Sequence, residues 1–336
     1  MLNIFILKDG DYTLDIYIQK KGSSLKKEKE HFLISSSENS NPLSVNMIDS
    51  FIISEGCSVT TDALKLCIEN DIPVYFADNF GKIYGKTWSP LYNTSAELHL
   101  KQLKVFYSKY GNLIGRKWII EKIETQKKHL FKLYSRKKFN FSDIEKQFNE
   151  IIDKIRQINL EAENYSNIIM GYEGNASRLY YSSINNFLHD TWKFERRNHQ
   201  GAEEPYNIIL NYLFGVLYSK IDHILITNGL NINIGILHSN SVNQKSLLFD
   251  FIEPFRYIVW ETTFGLFSKK LINKNFFEDT NRLTAESKKI ILTEFYKKLN
   301  QTKEINGKNY KIEYFISKKA KNLVKDLMQN EIYNKL

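Results

Sequence analysis

The stretch Ser246-Leu-Leu-Phe-Asp250-Phe-Ile-Glu253-Pro-Phe-Arg256 places two carboxylates and a guanidinium in an otherwise apolar run. If this stretch is helical, the three-residue step from Asp250 to Glu253 puts both carboxylates on one face. Carboxylates in such a segment need a partner, because an unpaired buried charge is costly. A metal ion would satisfy both, and an ion pair between Glu253 and Arg256 is the strongest structural alternative.

Two other segments carry groups of the same kind. Gly235-Ile-Leu-His238 ends an apolar run with an imidazole, and Gly171-Tyr-Glu173-Gly174 sets a carboxylate between two glycines. One imidazole with two or three carboxylates suits a hard or borderline divalent cation such as Mn²⁺ or Mg²⁺. Taken singly, Glu173 also fits a helix-start carboxylate favoured by the helix dipole, and His238 a hydrogen-bonded loop histidine.

The composition is that of an ordinary globular protein with a basic balance. The chain has 336 residues, with 47 Lys and Arg against 38 Asp and Glu and a net charge of +9. This surplus is compatible with binding a polyanion, although many basic proteins bind none. Cys57 and Cys67 are too few for a disulfide framework and fit small buried residues in a reducing cytoplasm. We find no signal peptide and no apolar run of about 18 residues, so we expect a soluble protein.

The first 90 residues have a β-rich pattern, in which short β-branched or aromatic segments alternate with Gly, Asn, Asp and Ser. A helical pattern with a cap-like threonine interrupts them at Thr60–Asn70, and the polar runs Lys20–Lys29 and Ser35–Asn41 are expected to form loops or a hairpin extension. The predicted strands are Asn3–Leu7, Tyr12–Gln19, His31–Ile34, Ile48–Ile53, Pro73–Ala77 and Lys82–Lys86.

From residue 91 onward the pattern is that of long amphipathic helices. The predicted helices are Glu97–Ser135 (two helices meeting near Gly111–Gly115), Phe141–Asn159, Glu161–Asn186 with an interruption at Gly171–Gly174, Tyr206–Thr227, Ser246–Phe267, Glu286–Asn300 and Lys318–Gln329, with a hairpin at Gly307. The sequence therefore predicts a two-domain α+β protein, with a β-rich domain over residues 1–90 and a larger all-helical domain over residues 91–336.

In their order and texture these segments resemble the CRISPR-associated integrases, the Cas-one family of spacer-acquisition nucleases. The residues that carry the resemblance are Met170-Gly-Tyr-Glu173-Gly174-Asn-Ala-Ser-Arg-Leu-Tyr180-Tyr181, Pro205-Tyr206-Asn207, Gly235–His238 after Gly229-Leu230, and the long and specific run Ser246–Arg256. The amino-terminal half is similar through Ile53–Gly56, Val59–Leu64 and Ile72–Phe76. The polar Lys20–Asn41 region and the looser Arg196–Pro205 segment depart from the family pattern.

The resemblance implies a metal-dependent DNA endonuclease and integrase. Members of the family work as two dimers flanking a dimer of the small Cas-two protein; they hold a short DNA duplex and join its 3′-hydroxyl ends to the CRISPR repeat by phosphoryl transfer. By the same resemblance, the catalytic residues are Glu173, His238, Asp250 and Glu253. Glu173, His238 and Glu253 are implied as metal ligands, with Asp250 beside them as a supporting or alternative ligand. A histidine ligand favours Mn²⁺, with Mg²⁺ as the other option.

Further expectations concern partners. The β-rich domain is implied to supply the homodimer contact, and the candidates for contacts to the DNA backbone are Arg178, Arg196 and Arg197. Three alternatives stay open: a transposon-encoded integrase relative, a non-catalytic DNA-binding scaffold in which Asp250, Glu253 and Arg256 form a structural network, and a metalloenzyme acting on small molecules.

Overall fold

The computed structural model describes residues 14–36, 39–78, 83–87, 95–199, 201–238, 244–277, 282–305 and 307–329. The chain divides into two compact units, residues 1–91 and 92–336. In the described residues the first unit is mainly β-strand and the second mainly α-helix, which confirms the predicted α+β class. The strand expected at Asn3–Leu7 lies outside the described residues.

The described part of the first unit forms two sheets and one helix. One sheet has the strand order β1-β5-β7-β8, with the first three strands parallel, and the other has the order β4-β3-β2-β6. Helix α1 lies between β5 and β7 in the chain, as a parallel pair requires a crossover. The elements are β1 (Leu14–Ile18), β2 (Ser24–Glu28), β3 (His31–Ser36), β4 (Asn39–Ser44), β5 (Ile48–Ser54), β6 (Ser58–Val59), α1 (Thr61–Glu69), β7 (Val74–Ala77) and β8 (Ile83–Lys86).

Local sequence explains most of these elements. Thr60 caps α1 by accepting a 3.3 Å hydrogen bond from the Ala63 amide. The polar run Lys20–Lys29 contains strand β2, where Leu25 is buried and its neighbours face solvent. Pairing with β3 turns this expected loop or hairpin extension into a central strand of its sheet. Of the two cysteines, Cys67 is buried and burial raises the pKa of its thiol to about 12.

The second unit packs its helices around one apolar core. The described elements are α2 (Ala96–Phe106), α3 (Lys109–Lys137), α4 (Ser142–Gln157), α5 (Tyr165–Asn185), α6 (Pro205–Thr227), α7 (Ser246–Phe251), α8 (Tyr257–Ser268), α9 (Ala285–Leu299), the hairpin β9 (Thr302–Ile305) and β10 (Lys308–Lys311), and α10 (Ile312–Met328). Short 3-10 turns lie at Val45–Met47 in the first unit, and at Asp190–Trp192, Glu253–Phe255 and Lys274–Phe276 in the second.

Helix α10 begins at Ile312 rather than at the predicted Lys318, and three other helix boundaries also differ from the predictions. The break between α2 and α3 falls at Tyr107 and Ser108, where the Ser108 hydroxyl caps α3, and not at Gly111–Gly115. Helix α5 runs unbroken through Gly171–Gly174. The segment expected as one helix over Ser246–Phe267 divides into α7, the 3-10 turn and α8, because Pro254 lacks an amide hydrogen and disrupts a continuous helix.

Helix α6 runs through the core of the second unit. Contrary to the expectation of no such segment, α6 is, within the described ranges, the one helix long and apolar enough to cross a membrane. That is weak evidence, because buried core helices pass the same test. Leu210, Leu213 and Leu217 of α6 are fully buried, and α6 contacts α8 and α9.

Candidate metal centre

Helices α3 and α5 bring two charged side chains of the candidate site together. The ammonium of Lys122, on α3, donates to Oε1 of Glu173, on α5. Ser177, one turn after Glu173, donates to the same oxygen over 2.7 Å. Farther along the same two helices, His129 pairs with the Tyr180 hydroxyl at 2.7 Å. A row of polar contacts therefore runs between two helices that are otherwise joined by apolar packing.

The 3-10 turn adds the second carboxylate. Glu253 accepts a 2.6 Å contact from Lys122 through Oε2, so that one ammonium lies between Glu173 and Glu253. Arg256 donates two hydrogen bonds to the Glu253 carboxylate, from Nε over 2.8 Å and from Nη2 over 3.0 Å. The Glu253 side chain is only 2% exposed, so its charge depends on these two cations. We call Lys122, Glu173, Glu253 and Arg256 the carboxylate cluster.

Burial and charge oppose each other in this cluster, and charge prevails. Burial favours the neutral form of Glu253, but Arg256 and Lys122 outweigh it and lower the pKa of Glu253 to about 2. The pKa of Glu173 is lowered in the same way, against its burial, by Lys122. Burial acts to lower the pKa of Lys122, yet the two carboxylates raise it. All three groups are therefore charged at neutral pH.

His238 and Asp250 form a separate pair. The imidazole Nδ1 of His238 lies 2.6 Å from Oδ1 of Asp250. The carboxylate of Asp250 also accepts three backbone amides, from Ile236 at 2.6 Å, Leu237 at 3.1 Å and His238 at 3.2 Å. Residues 235–238, which we call the histidine loop, are thus wrapped around one buried carboxylate. With Nδ1 bonded to Asp250, Nε2 is the nitrogen left for another partner.

Two glycines permit this close packing. A Cβ built on Gly235 would lie 2.9 Å from Oδ2 of Asp250 and nearer still to Ser246. A Cβ built on Gly115, in α3, would lie 2.8 Å from Cγ of Leu237. Both positions therefore need a residue without a side chain for the histidine loop to sit between α3 and α7. By contrast, Cβ atoms built on Gly171 and Gly174 meet nothing within 4 Å in the part of the chain described.

A short path of contacts links the histidine loop to the carboxylate cluster. Nη2 of Arg256 donates to the Tyr218 hydroxyl over 3.2 Å. The Tyr218 ring meets Phe249 edge-on at 5.5 Å, and the Phe249 ring lies 5.7 Å from the ring of His238. Tyr218 and Phe249 thus connect the two parts of the site, since Tyr218 contacts Arg256 and Phe249 contacts His238.

The structure brings the predicted site residues together in two pairs. Glu173 and Glu253 meet across Lys122, and His238 meets Asp250. In the part of the chain described, Asp250 and Glu253 have no partner in common. Asp250, in α7, bonds residues 236–238, whereas Glu253, in the 3-10 turn, bonds Lys122 and Arg256. Over the described ranges, no three His, Cys, Asp or Glu side chains form a group that could hold a metal ion. The ion pair between Glu253 and Arg256, raised as the structural alternative, is present.

Lys122 lies in the first long helix pair, which resembles that of the family, but the sequence did not assign it to the site. It occupies a buried position in α3, between the fully buried Ile119 and Ile123 and one turn before the buried Gln126. A polar residue on the apolar face of a helix is a signal of a buried polar contact. Its partner Glu173 lies 51 positions later, so the pairing itself could be seen only in three dimensions.

The three arginines proposed as DNA contacts occupy different surroundings. Arg178 and Arg196 are exposed, and Arg178 donates to Asn175 one turn earlier. Arg197 is half-buried and donates to Asn207 at 3.2 Å and Asn211 at 2.6 Å. Its guanidinium therefore fastens the start of α6 to the preceding loop.

A family model described as CRISPR associated protein Cas1 matches residues 16–297. Two relatives illustrate the likeness. CRISPR-associated protein Cas1 3 of Methanobrevibacter ruminantium is 30% identical over 287 residues, covering 83% of this chain and 86% of that protein. CRISPR-associated endonuclease Cas1 of Fusobacterium nucleatum is 23% identical over 325 residues, covering 94% of each.

Solved structures share the fold. A casposase bound to its integration product superposes with a TM-score of 0.80 at 22% identity, covering 95% of this chain and 91% of that one. A chain of a complex titled Cas6-RT-Cas1–Cas2 gives a TM-score of 0.78 at 20% identity, covering 96% of this chain and 35% of the other, longer one.

Proposed function

Because this chain belongs to the Cas1 family of CRISPR-associated proteins, we propose that it is a divalent-metal-dependent DNA endonuclease and integrase of CRISPR adaptation. In this reaction a 3′-hydroxyl of a short DNA duplex attacks a phosphodiester of the CRISPR repeat and displaces the neighbouring oxygen. The observation that carries the proposal is the convergence of Glu173 and Glu253 on one positive atom, Nζ of Lys122.

That convergence supports a metal-ion site between the two carboxylates. Two buried, charged carboxylates enclose a point that a cation occupies, here an ammonium, and carboxylate oxygens suit Mn²⁺ and Mg²⁺. Glu173 and Glu253 would hold the ion in place of the Lys122 ammonium, with Nε2 of His238 as the third ligand and Asp250 as its support. In the described residues these three ligands are not grouped around one point, so binding of the ion requires Lys122 to leave and the ligands to converge. When bound, a divalent ion polarises the phosphoryl group and stabilises the charge on the attacking and leaving oxygens. The histidine favours Mn²⁺ as the native ion.

The remaining residues orient these groups. Asp250 fixes the ring of His238 through Nδ1 and holds the histidine loop through three amides, so that Nε2 is presented in one direction. Arg256 keeps Glu253 ionised and restricts its rotation by a two-pronged contact. Outer partners of this type typically change metal affinity or activity about 10- to 100-fold when removed.

We assign the substrates and partners from the family and from what similar structures contain. The substrates are a short DNA duplex and the CRISPR repeat, and the protein partner is Cas2, with which a structural relative is titled as a complex. The net charge of +9 suits contact with a DNA backbone, and Arg178, Arg196 and Arg197 stay our candidates for it. We also propose a homodimer formed through the β-rich residues 1–90, helical residues 91–336 as the catalytic domain, and a cytoplasmic location.

A strand-joining assay tests the proposal. The full chain with Cas2 is given a labelled duplex, a plasmid bearing the repeat, and Mn²⁺. We expect joined product that falls by at least about 100-fold in His238→Ala and in Glu173→Gln. Arg178→Ala serves as a control with intact chemistry and weaker binding at high salt. Joining that is at background and unchanged by His238→Ala would contradict the enzymatic function.

One observation favours a second candidate, a non-catalytic DNA-binding scaffold. Glu253 already has two cationic partners, so the cluster is electrically balanced by the protein alone. A scaffold predicts DNA binding and Cas2 binding without any joining, and no effect of Mn²⁺ on thermal stability. The integrase predicts that Mn²⁺ raises the melting temperature of the wild type and not that of Glu173→Gln.

A further inference from the structure

The β9–β10 hairpin and helix α10 form an aromatic and basic surface that the proposed chemistry does not use. These elements span Thr302–Met328 and lie beyond residues 16–297, the range that the family model matches. Helix α10 is anchored to the second unit by contacts with α2, α6 and α9. Its buried side consists of apolar residues: Ile312, Ile316, Ala320, Leu323 and Leu327.

Stacked tyrosines lie at the start of this surface. The rings of Tyr310 and Tyr314 are 4.7 Å apart and nearly parallel, with an angle of 15° between their planes. Phe315 meets Tyr314 edge-on at 5.8 Å. Nζ of Lys318 lies 5.5 Å from the Tyr314 ring centre and 5.7 Å from that of Tyr310. Tyr314 remains 42% exposed, so the stack ends in an accessible aromatic surface.

A row of lysines continues from the tyrosines along α10. Lys318, Lys321 and Lys325 are exposed and follow Tyr314 at spacings of four, three and four residues, which places all four on one helix face. At 1.5 Å per residue the row is about 16 Å long, so it can contact several consecutive phosphates of one strand. Across the hairpin, the exposed Lys303 pairs in register with Tyr310.

Two carboxylates near this surface pair with lysines outside the row. Glu313 pairs with Lys220 of α6 at 3.3 Å, and Glu121 of α3 pairs with Lys319, which lies beside the row rather than in it. The positive charge of the exposed row is therefore not offset by these two carboxylates.

We propose that this surface binds single-stranded nucleic acid, with an unpaired base on Tyr314 and the adjoining phosphates along Lys318, Lys321 and Lys325. Stacking on an aromatic ring requires a base that is free of its duplex partner, and it tolerates any sequence. Phosphates account for the lysine row. An anionic membrane surface fits less well, because a membrane-lying helix exposes a broad apolar face, and the exposed row here holds three lysines to one tyrosine.

Fluorescence anisotropy of a labelled 12-nucleotide (dT) strand with the full chain in EDTA tests this surface without any joining reaction. We expect Tyr314→Ala to weaken binding by about 5- to 100-fold, the range for loss of one base–aromatic stack, and Tyr314→Trp to retain it. Replacing Lys318, Lys321 and Lys325 together by Gln should reduce the slope of log K against log salt by about 2. The matched control is Phe131→Ala, since Phe131 is 53% exposed but lies in a groove whose two glutamates and two lysines balance in charge, with no row of unopposed lysines among the described residues that line it.

Cross-linking shows where on the protein the strand binds. A strand carrying 5-iodouracil should cross-link within residues 310–321, as found by mass spectrometry of the digested protein. A (rU) strand of equal length distinguishes RNA from DNA, and binding by either strand supports the surface. The proposal is overturned if Tyr314→Ala and Phe131→Ala bind the strand equally, if cross-links fall only elsewhere, or if anionic vesicles bind and the strands do not. Failure of strand joining with these cross-links intact would count against the proposed function alone.

Discussion

The carboxylate cluster and the histidine loop each hold a buried carboxylate, and they stabilise its negative charge in different ways. Glu253 is balanced by the side chains of Lys122 and Arg256. Asp250 is balanced by backbone amides of residues 236–238 and by one imidazole. The carboxylate cluster is therefore stabilised by ion pairs between side chains, and the histidine loop is stabilised mainly by hydrogen bonds from backbone amides.

This difference indicates a division of labour. A side-chain cation such as Lys122 can leave its place when another cation arrives, whereas amides fixed by the backbone cannot. In our account the histidine loop is ready for a metal ion, and the carboxylate cluster must exchange one cation for another. The predictions below test this contrast.

The largest effect is expected for Glu253→Ala. The change leaves Lys122 and Arg256 without their shared carboxylate, and breaking a buried ion pair typically costs about 3–5 kcal/mol of unfolding free energy. Urea denaturation measures the loss, and strand joining should fall to background. Glu145→Ala, at an exposed position of α4, is the control and should change stability by less than about 0.5 kcal/mol. A loss for Glu253→Ala below about 1 kcal/mol would show that the cluster is not held by charge.

Asp250→Asn should have the next largest effect. An asparagine amide group would face at least one backbone N–H of the histidine loop, and charge-assisted bonds contribute about 1.5–3 kcal/mol each. We expect a loss of about 2–3 kcal/mol in urea and a 10- to 100-fold loss of joining, because His238 is no longer oriented. Full joining activity in this variant would mean that the loop does not position the imidazole.

Lys122→Met separates the two regions most clearly. It removes one of two cations from Glu253 and the cation of Glu173, and we expect a cost of about 1–3 kcal/mol in EDTA. Because the carboxylates then lack their internal cation, added Mn²⁺ should raise the melting temperature more in this variant than in the wild type. An equal or smaller rise would contradict the exchange of cations.

A third polar contact on the same helices gives the smallest effect and a pH test. Burial lowers the pKa of His129 to about 4, against an unfolded value near 6.5. A depressed pKa means that the neutral ring is favoured in the folded state. Its contribution is present above pH 6.5 and is lost as the pH falls toward 4. We expect about 1–2 kcal/mol less stability at pH 5 than at pH 7, and a smaller difference in His129→Gln.

Much of the fold was predictable because its signals are local. Thr60 caps α1, Pro205 opens α6, and Gly307 sits in the β9–β10 hairpin, all as the sequence indicates. The run that contains β2 was expected to be a loop or a hairpin extension, and it forms an antiparallel hairpin with β3. The sequence alone did not decide between the two, since the polar residues of β2 depend on pairing with β3. For the proposed site, Glu173, His238, Asp250 and Glu253 were predicted from the family resemblance of their segments. Their grouping into two pairs was not predicted. It depends on the contacts of Lys122 with residues far away in the sequence and on the 3-10 turn at Pro254.

We propose that Glu173, Glu253 and His238 together hold one divalent ion. The most direct test is titration of Mn²⁺ into the full chain, followed by electron paramagnetic resonance of the free ion. We expect one bound Mn²⁺ per chain in the wild type, an affinity at least about tenfold weaker in both Glu173→Gln and His238→Ala, and an unchanged affinity in Lys318→Gln. Binding of Mn²⁺ with wild-type affinity in both Glu173→Gln and His238→Ala would contradict it.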